Sequence, residues 1–195
     1  MSELDGSPAF FAVGWSIKQT HQERFELIEQ VVDQCYRELV EKRQAFHTLG
    51  EDQLSLIICS MIAFTGAAVS HDAQIGGHVD IVVRGPNAFL WIGEAKIYNG
   101  PAYVMGGFEQ LSTRYGVAGV GCDRGEIIIY CKQPNATRAL VAWRDHLVGN
   151  GVVEIGEDKS STSALVFRSK HSCPGTGCDF LVRHRIVPLH FRPTK

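Results

Sequence analysis

Three ionisable residues stand where apolar strands normally exclude charge. The stretch Gly76–Tyr98, GGHVDIVVRGPNAFLWIGEAKIY, reads as two strands around a turn at Arg84–Asn87. Asp80 lies between Val79 and Ile81, and Glu94 and Lys96 follow Leu90, Trp91 and Ile92. Acids enter such surroundings when they are paired or hold a cation. Alternation puts Glu94 and Lys96 on one face of their strand. If the strands pair around the turn, Asp80 and Glu94 both lie towards the end away from it. Twist and a small offset could then bring their carboxylates to one cation. Two carboxylates with a backbone carbonyl suit Mg2+, a hard ion that keeps several waters. A lysine two residues on could orient or help deprotonate a water, or counter charge building on a phosphate. These are the parts of metal-assisted phosphodiester hydrolysis. The structural alternative for Glu94 and Lys96 is a salt-bridged pair on a half-exposed strand. His78 shares the face of Asp80, either touching the site or hydrogen-bonded in the core.

Such a site needs a sheet backed by helices, and the flanking chain has that pattern. From about Thr20 to Phe46, Phe25, Ile28, Val32, Cys35 or Tyr36 and Leu39 recur at helical spacing. That helix packs on a core, and it is also a candidate surface for a partner protein or a second copy. Glu51 or Asp52 opens another helix through Leu54, Ile57, Ile58, Met61 and Ile62 to Phe64, and Ala67–Gln74 reads as a strand. After the motif, Tyr98-Asn99-Gly100-Pro101 breaks the chain before a segment reaching about Tyr115. There Met105, Phe108 and Leu111 lie near helical spacing and Gly106-Gly107 weakens the first half. Glu126–Tyr130 is a buried strand, and Asn135 caps a helix through Trp143 to Leu147. Val152–Ile155, Ala164–Arg168 and Phe180–Phe191 read as strands. The order predicts an α/β protein with a mixed central sheet flanked by helices. It comprises an N-terminal helical segment (1–48), a core (49–150) and a β-rich basic extension (151–195) in one compact domain.

Bulk properties narrow the classes. The 195 residues, 45% hydrophobic and 21% charged, have ordinary globular composition, enough for one cored domain. A formal charge of −2 means that any nucleic-acid surface is local. The start has no basic segment and no run is long enough to span a bilayer, so the expectation is a cytoplasmic protein with no membrane partner. The six cysteines are then expected to be reduced thiols.

Asp80 followed by Glu94-Ala95-Lys96 resembles the PD-(D/E)xK, or restriction-endonuclease-like, nuclease superfamily. The resemblance covers about Glu51 to Leu147, where the predicted helix, three strands, helix and strand follow that family's core. It implies a restriction-endonuclease-like fold and a metal held by Asp80, Glu94 and the Ala95 carbonyl. Many members carry a glutamate on the first core helix, which matches Glu51. A glutamine on the helix after the motif matches Gln110. Val79 stands in place of the family's proline, and Arg114 occupies the tyrosine position of its Gln-x-x-x-Tyr, with Tyr115 next.

The tail offers further groups. Between Lys159 and Lys195 there are seven Lys or Arg and one acid, Asp179. Arg168, Lys170, Arg183 and Arg185, with Arg114 nearer the motif, are candidate phosphate contacts. The alternative is a solvated edge strand protected by charge. His171, Cys173, Cys178 and His184 could supply a structural zinc, although their spacing is looser than that of a finger and a hairpin turn accounts for Pro174–Gly177. The leading expectation is a Mg2+-dependent nuclease, with Mn2+ able to substitute, acting on DNA rather than RNA. Asp80, Glu94, Lys96, Glu51 and Gln110 would be its working residues. By analogy its setting is bacterial defence. The rival is a non-catalytic nucleic-acid- or protein-binding subunit with the same fold.

Overall fold

The structure, a computed structural model, describes residues 7–115, 118–152, 154–159, 161 and 163–193, with the side chains of Arg114 and Tyr115 outside the described set. Two helices precede the motif core. α1, Pro8–Ile17, begins at Ser7, whose hydroxyl accepts from the Phe10 amide at 3.1 Å. α2, His21–Glu41, starts in a capping box: Glu23 accepts from the Thr20 amide at 3.0 Å, and Thr20 accepts from the Glu23 amide at 3.2 Å. Its apolar stripe Phe25, Ile28, Val32 and Leu39 is buried as the periodicity requires. The expected single helix to Phe46 is broken after Glu41, and α3, Arg43–Phe46, is a separate turn.

α4, Glu51–Ala63, follows, with the Gln53 side chain accepting from the Gly50 amide at 2.8 Å. Then come β1 Ala68–Gln74, β2 His78–Gly85, β3 Phe89–Ile97, α5 Pro101–Glu109, a π-helical turn Gln110–Tyr115, β4 Arg124–Cys131 and α6 Ala136–Gly149. The β2–β3 turn places Asn87 and Ala88 in the left-handed region, a conformation asparagine accepts readily. β5 Ile155–Glu157, β6 Val166–Ser172 and β7 Asp179–Pro188 complete one seven-stranded sheet.

The sheet order is β1-β2-β3-β4-β7-β6-β5, and it is mixed. β3, β4 and β7 run parallel, with antiparallel pairs on both sides. The basic C-terminal segment is therefore built into the sheet, because β7 pairs with β4 from Arg124↔Leu181 to Cys131↔Pro188. The strand expected at Val152–Ile155 starts at Ile155 instead, and Val153 lies outside the described residues.

Two cores sandwich the sheet. One packs α1, α2 and α4 through Phe25, Ile28, Leu54 and Ile58 onto Ile81, Trp91, Ile128 and Tyr130. The other packs α5 and α6 through Phe108, Trp143 and Leu147 onto Ile92, Ile127, Ile129 and Ile186. Strands buried on both faces lose simple alternation, which explains the near-continuous apolar run of β4. Among the described residues no helix is long and apolar enough to cross a membrane, and all six cysteines are free.

Candidate active site

The charged residues of β2 and β3 sit where these strands part. Their ladder ends at Ile81↔Gly93, while β3 continues along β4 through Glu94↔Ile127, Ala95↔Ile128, Lys96↔Ile129 and Ile97↔Tyr130. The amide of Ala95 would be the next donor to β2. It donates instead to Asp80 Oδ2 at 2.7 Å. A side chain thus takes over a backbone rung at the fork, which keeps the buried amide satisfied.

Glu51 closes the far side. Placed on the first turn of α4, it accepts the Ile97 amide on Oε2 at 2.7 Å and the Lys96 ammonium on Oε1 at 3.3 Å. Lys96 Nζ also donates to Glu94 Oε1 at 2.7 Å and to the Ala95 carbonyl at 2.9 Å. Two carboxyl groups, Glu51 and Glu94, thus share one ammonium with the Ala95 carbonyl, and among the described residues Glu94 Oε2 is buried with no hydrogen-bond partner. Burial raises the pKa of Asp80. Burial, with Asp80 second, pushes Glu94 up to about 7. Burial alone would lower Lys96, but Glu94, Glu51 and Asp80 together hold it above the lysine range, so it stays an ammonium.

A residue not singled out from the sequence shapes this cluster. A Cβ on Gly107 of α5 would lie 2.9 Å from both Cε and Cγ of Lys96 and 3.3 Å from Glu94 Cγ. Only a glycine lets α5 come this close. Its neighbour Gly106 faces open space. The signal was present as a Gly-Gly pair inside a helical pattern. Gln110 begins the π-helical turn and is half-buried, but among the described residues it makes no hydrogen bond to the carboxylates. His78 is exposed, with Nδ1 2.7 Å from Asp72 Oδ1, and is not a core histidine.

No family model, curated protein or solved structure matches this chain. The assignment of the site rests on its own geometry. As arranged, with the ammonium between Glu94 and Glu51, no three acid, His or Cys side chains among the described residues are grouped to hold a metal. The donor chemistry nevertheless fits a hard divalent cation: two or three carboxylates, the Ala95 carbonyl and an orphaned buried carboxylate oxygen. Such an ion would compete with the Lys96 ammonium for Glu94.

The tail residues lie elsewhere and require a correction. Arg183, expected on a phosphate-contacting surface, is 1% exposed. It donates to Asp158 at 2.6 Å, to Glu126 at 3.3 Å and to both oxygens of Asp33 at 2.8 and 2.7 Å. Arg168 is bidentate to Glu29 at 3.0 and 2.6 Å and reaches Asp158 at 3.0 Å. Arg185 is buried beside Asp33 and stacks on Tyr36. These arginines tie α2 to β4, β6 and β7, because β7 is an internal strand and its cations must find acids. Glu29, Asp33 and Tyr36, at i, i+4 and i+7 on α2, were the available signal. Lys170 stays at the surface with Glu154 and Asp179. The side chain of Arg114 lies outside the described residues.

The four proposed zinc ligands are not brought together. His184 is fully buried with Nδ1 accepting from Trp143 at 3.2 Å and Nε2 2.6 Å from Ser169 Oγ, whereas Cys178 is exposed. Burial holds His184 well below its usual pKa and lowers His171 to about 4, so both are neutral. Ser169 Oγ is also 2.6 Å from His171 Nε2, which makes this a core hydrogen-bond chain.

Proposed function

We propose that this chain is a Mg2+-dependent nuclease with a restriction-endonuclease-like core, acting on DNA. The observation that carries the reading is the cluster at the β2–β3 fork, where Glu94 Oε2 is buried without a partner among too few cations. The order α4, β1, β2, β3, α5, β4 around that fork supports the fold assignment.

Asp80, Glu94 and the Ala95 carbonyl would hold the ion. When bound, Mg2+ supplies Lewis acidity to the phosphate and lowers the pKa of its water. Asp80 is pre-positioned by the Ala95 amide, so little ordering remains to be done on binding. Glu51 fixes the end of β3 through Ile97 and steers Lys96. Lys96 is held as an ammonium, so it acts by donating and by offsetting charge on the transition-state phosphate, not as a base.

Purified protein should cut DNA with Mg2+ and stop on addition of EDTA, and Lys96→Ala should remove the activity while leaving the fold. Equal inertness of wild type and Lys96→Ala on plasmid, linear DNA and RNA would end this reading. A protein-binding role has one observation of its own: α1 turns Phe10, Val13 and Ile17 to solvent at helical spacing. That role predicts binding insensitive to Asp80→Ala.

A further inference from the structure

Beyond Lys96, β3 runs to a cleft of about 700 Å3 whose lining includes Tyr98, Asn99, Gly100, Gln133, Asn135 and Arg138. It opens between the segments that follow β3 and β4, outside the carboxyl ends of two parallel strands. Crevices of that kind are where open α/β sheets take ligands. The volume falls inside the range of small-molecule and nucleotide sites, about 300–1,000 Å3.

The lining has a distinct charge. Three concavities described elsewhere carry Glu38, Glu154, or Glu23 with Glu26, and an adjoining one that shares Asn135, Arg138 and Ala142 with this cleft carries Asp145. This cleft carries none, and its one ionised group is Arg138, which makes no ion pair among the described residues. Its other polar groups are the Tyr98 phenol and the side chains of Asn99 and Gln133; the Asn135 side chain is committed to the Arg138 amide at 3.1 Å. Burial raises the phenol pKa, so it remains a neutral donor.

Its placement connects it to the carboxylates. Glu94, Lys96 and Tyr98 alternate onto one face, so Tyr98 lies about 6.6 Å along the strand from Lys96. The position is fixed by the Tyr98 amide, which donates to the Tyr130 carbonyl at 2.9 Å. Gly100 then turns the chain away at φ +93°, which a side chain would strain.

We propose that this cleft holds a nucleotide of the substrate strand next to the scissile phosphate. Arg138 takes its phosphate, and the Tyr98 ring with the Asn99 and Gln133 amides takes its base. The assignment rests on the nuclease reading of Asp80, Glu94 and Lys96, and the test separates the two. Binding of fluorescently labelled short single-stranded DNA is measured by anisotropy in EDTA, where cleavage is off. Wild type is compared with Arg138→Ala, Tyr98→Ala and Arg144→Ala, the last being an exposed α6 arginine outside the cleft that controls for net charge. Arg138→Ala should weaken binding about tenfold and lower the slope of log affinity against log salt by about one, whereas Arg144→Ala should do neither. Tyr98→Ala should weaken binding with the salt slope unchanged. Equal effects of Arg138→Ala and Arg144→Ala, or no binding by wild type, overturn the proposal. Cleavage with Mg2+ is scored separately. Cutting with no Arg138 effect removes the cleft and keeps the nuclease. Arg138-dependent binding without cutting keeps the cleft and removes the nuclease.

Discussion

Two clusters of buried charge share one sheet, and they are finished differently. Under α2, Arg168, Arg183 and Arg185 meet Glu29, Asp33, Glu126 and Asp158, and Arg183 alone spans three acids. At the β2–β3 fork, Glu51 and Glu94 share Lys96, Asp80 takes the Ala95 amide, and among the described residues one Glu94 oxygen is left bare. The first sets three arginines against four acids in an interlocked net, with Arg185 Nε left bare among the described residues, close to the balance that buried charges require. The second keeps an excess of negative charge that the protein does not neutralise. Buried charge by itself therefore says little about function here; the unbalanced remainder is what points to chemistry.

The largest effect that could break this contrast is on stability. Arg183→Met strands Glu126 and leaves Asp158 to Arg168 alone, and removing one partner of such a buried set costs about 3–5 kcal/mol. Urea unfolding should show that loss, with less than half of it for Lys96→Met, because Lys96 and Glu51 are partly exposed whereas Arg183 and Glu126 are not. Equal costs would make the fork a structural ion pair like the other.

Next comes Glu94→Gln. The Glu94 pKa is raised to about 7, so ionising it opposes folding: stability falls as pH rises from the unfolded value, 4.5, towards 7. The amide escapes that penalty, which is already net of the attraction of Lys96. We expect Glu94→Gln to match wild type below pH 4.5 and to exceed it by about 3 kcal/mol above pH 7, read from melts across pH. Glu126, also raised to about 7, contributes equally to both proteins. A destabilised Glu94→Gln at pH 8 would mean that the carboxylate is fully compensated.

Smaller again is the pair of helix glycines. Gly107→Ala pushes a methyl into Lys96 and should cost about 1–3 kcal/mol by overpacking, along with activity. Gly106→Ala has open space and should gain about 0.5–1 kcal/mol from helix propensity. Matching effects would deny that α5 is set against the site. Smallest is Lys170→Ala at the surface, which should leave the melting temperature essentially unchanged because exposed pairs contribute little.

The fork was legible because Asp80, Glu94 and Lys96 break apolar strands, and Glu51 because it opens a helix after Gly50. Helix α2 and the four strands up to β4 followed from periodicity and turn chemistry. The arginine cluster was not legible in the same way. A run of basic residues looks alike on a surface and in a core, and Arg183 finds Asp33 across 150 positions of sequence. The placement of β7 beside β4 is equally non-local, since pairing partners leave no mark in a strand's own pattern. Helix α1 was overlooked although Ser7 and Pro8 form a proper start, because its short apolar stretch lacks a polar face. Gly107 was visible only as a weakness of the helix that carries it.

The central claim is that the unbalanced fork is a metal-dependent phosphodiesterase site, and the direct measurement is cleavage by wild type and Asp80→Asn with Mg2+ or EDTA. Plasmid, linear DNA and RNA serve as substrates, and melting curves establish that both proteins are folded. The account predicts Mg2+-dependent cutting by wild type that EDTA abolishes and that Asp80→Asn lowers by about a thousandfold or more. Folded wild type that leaves every substrate intact, or Asp80→Asn that cuts as fast as wild type, would contradict it.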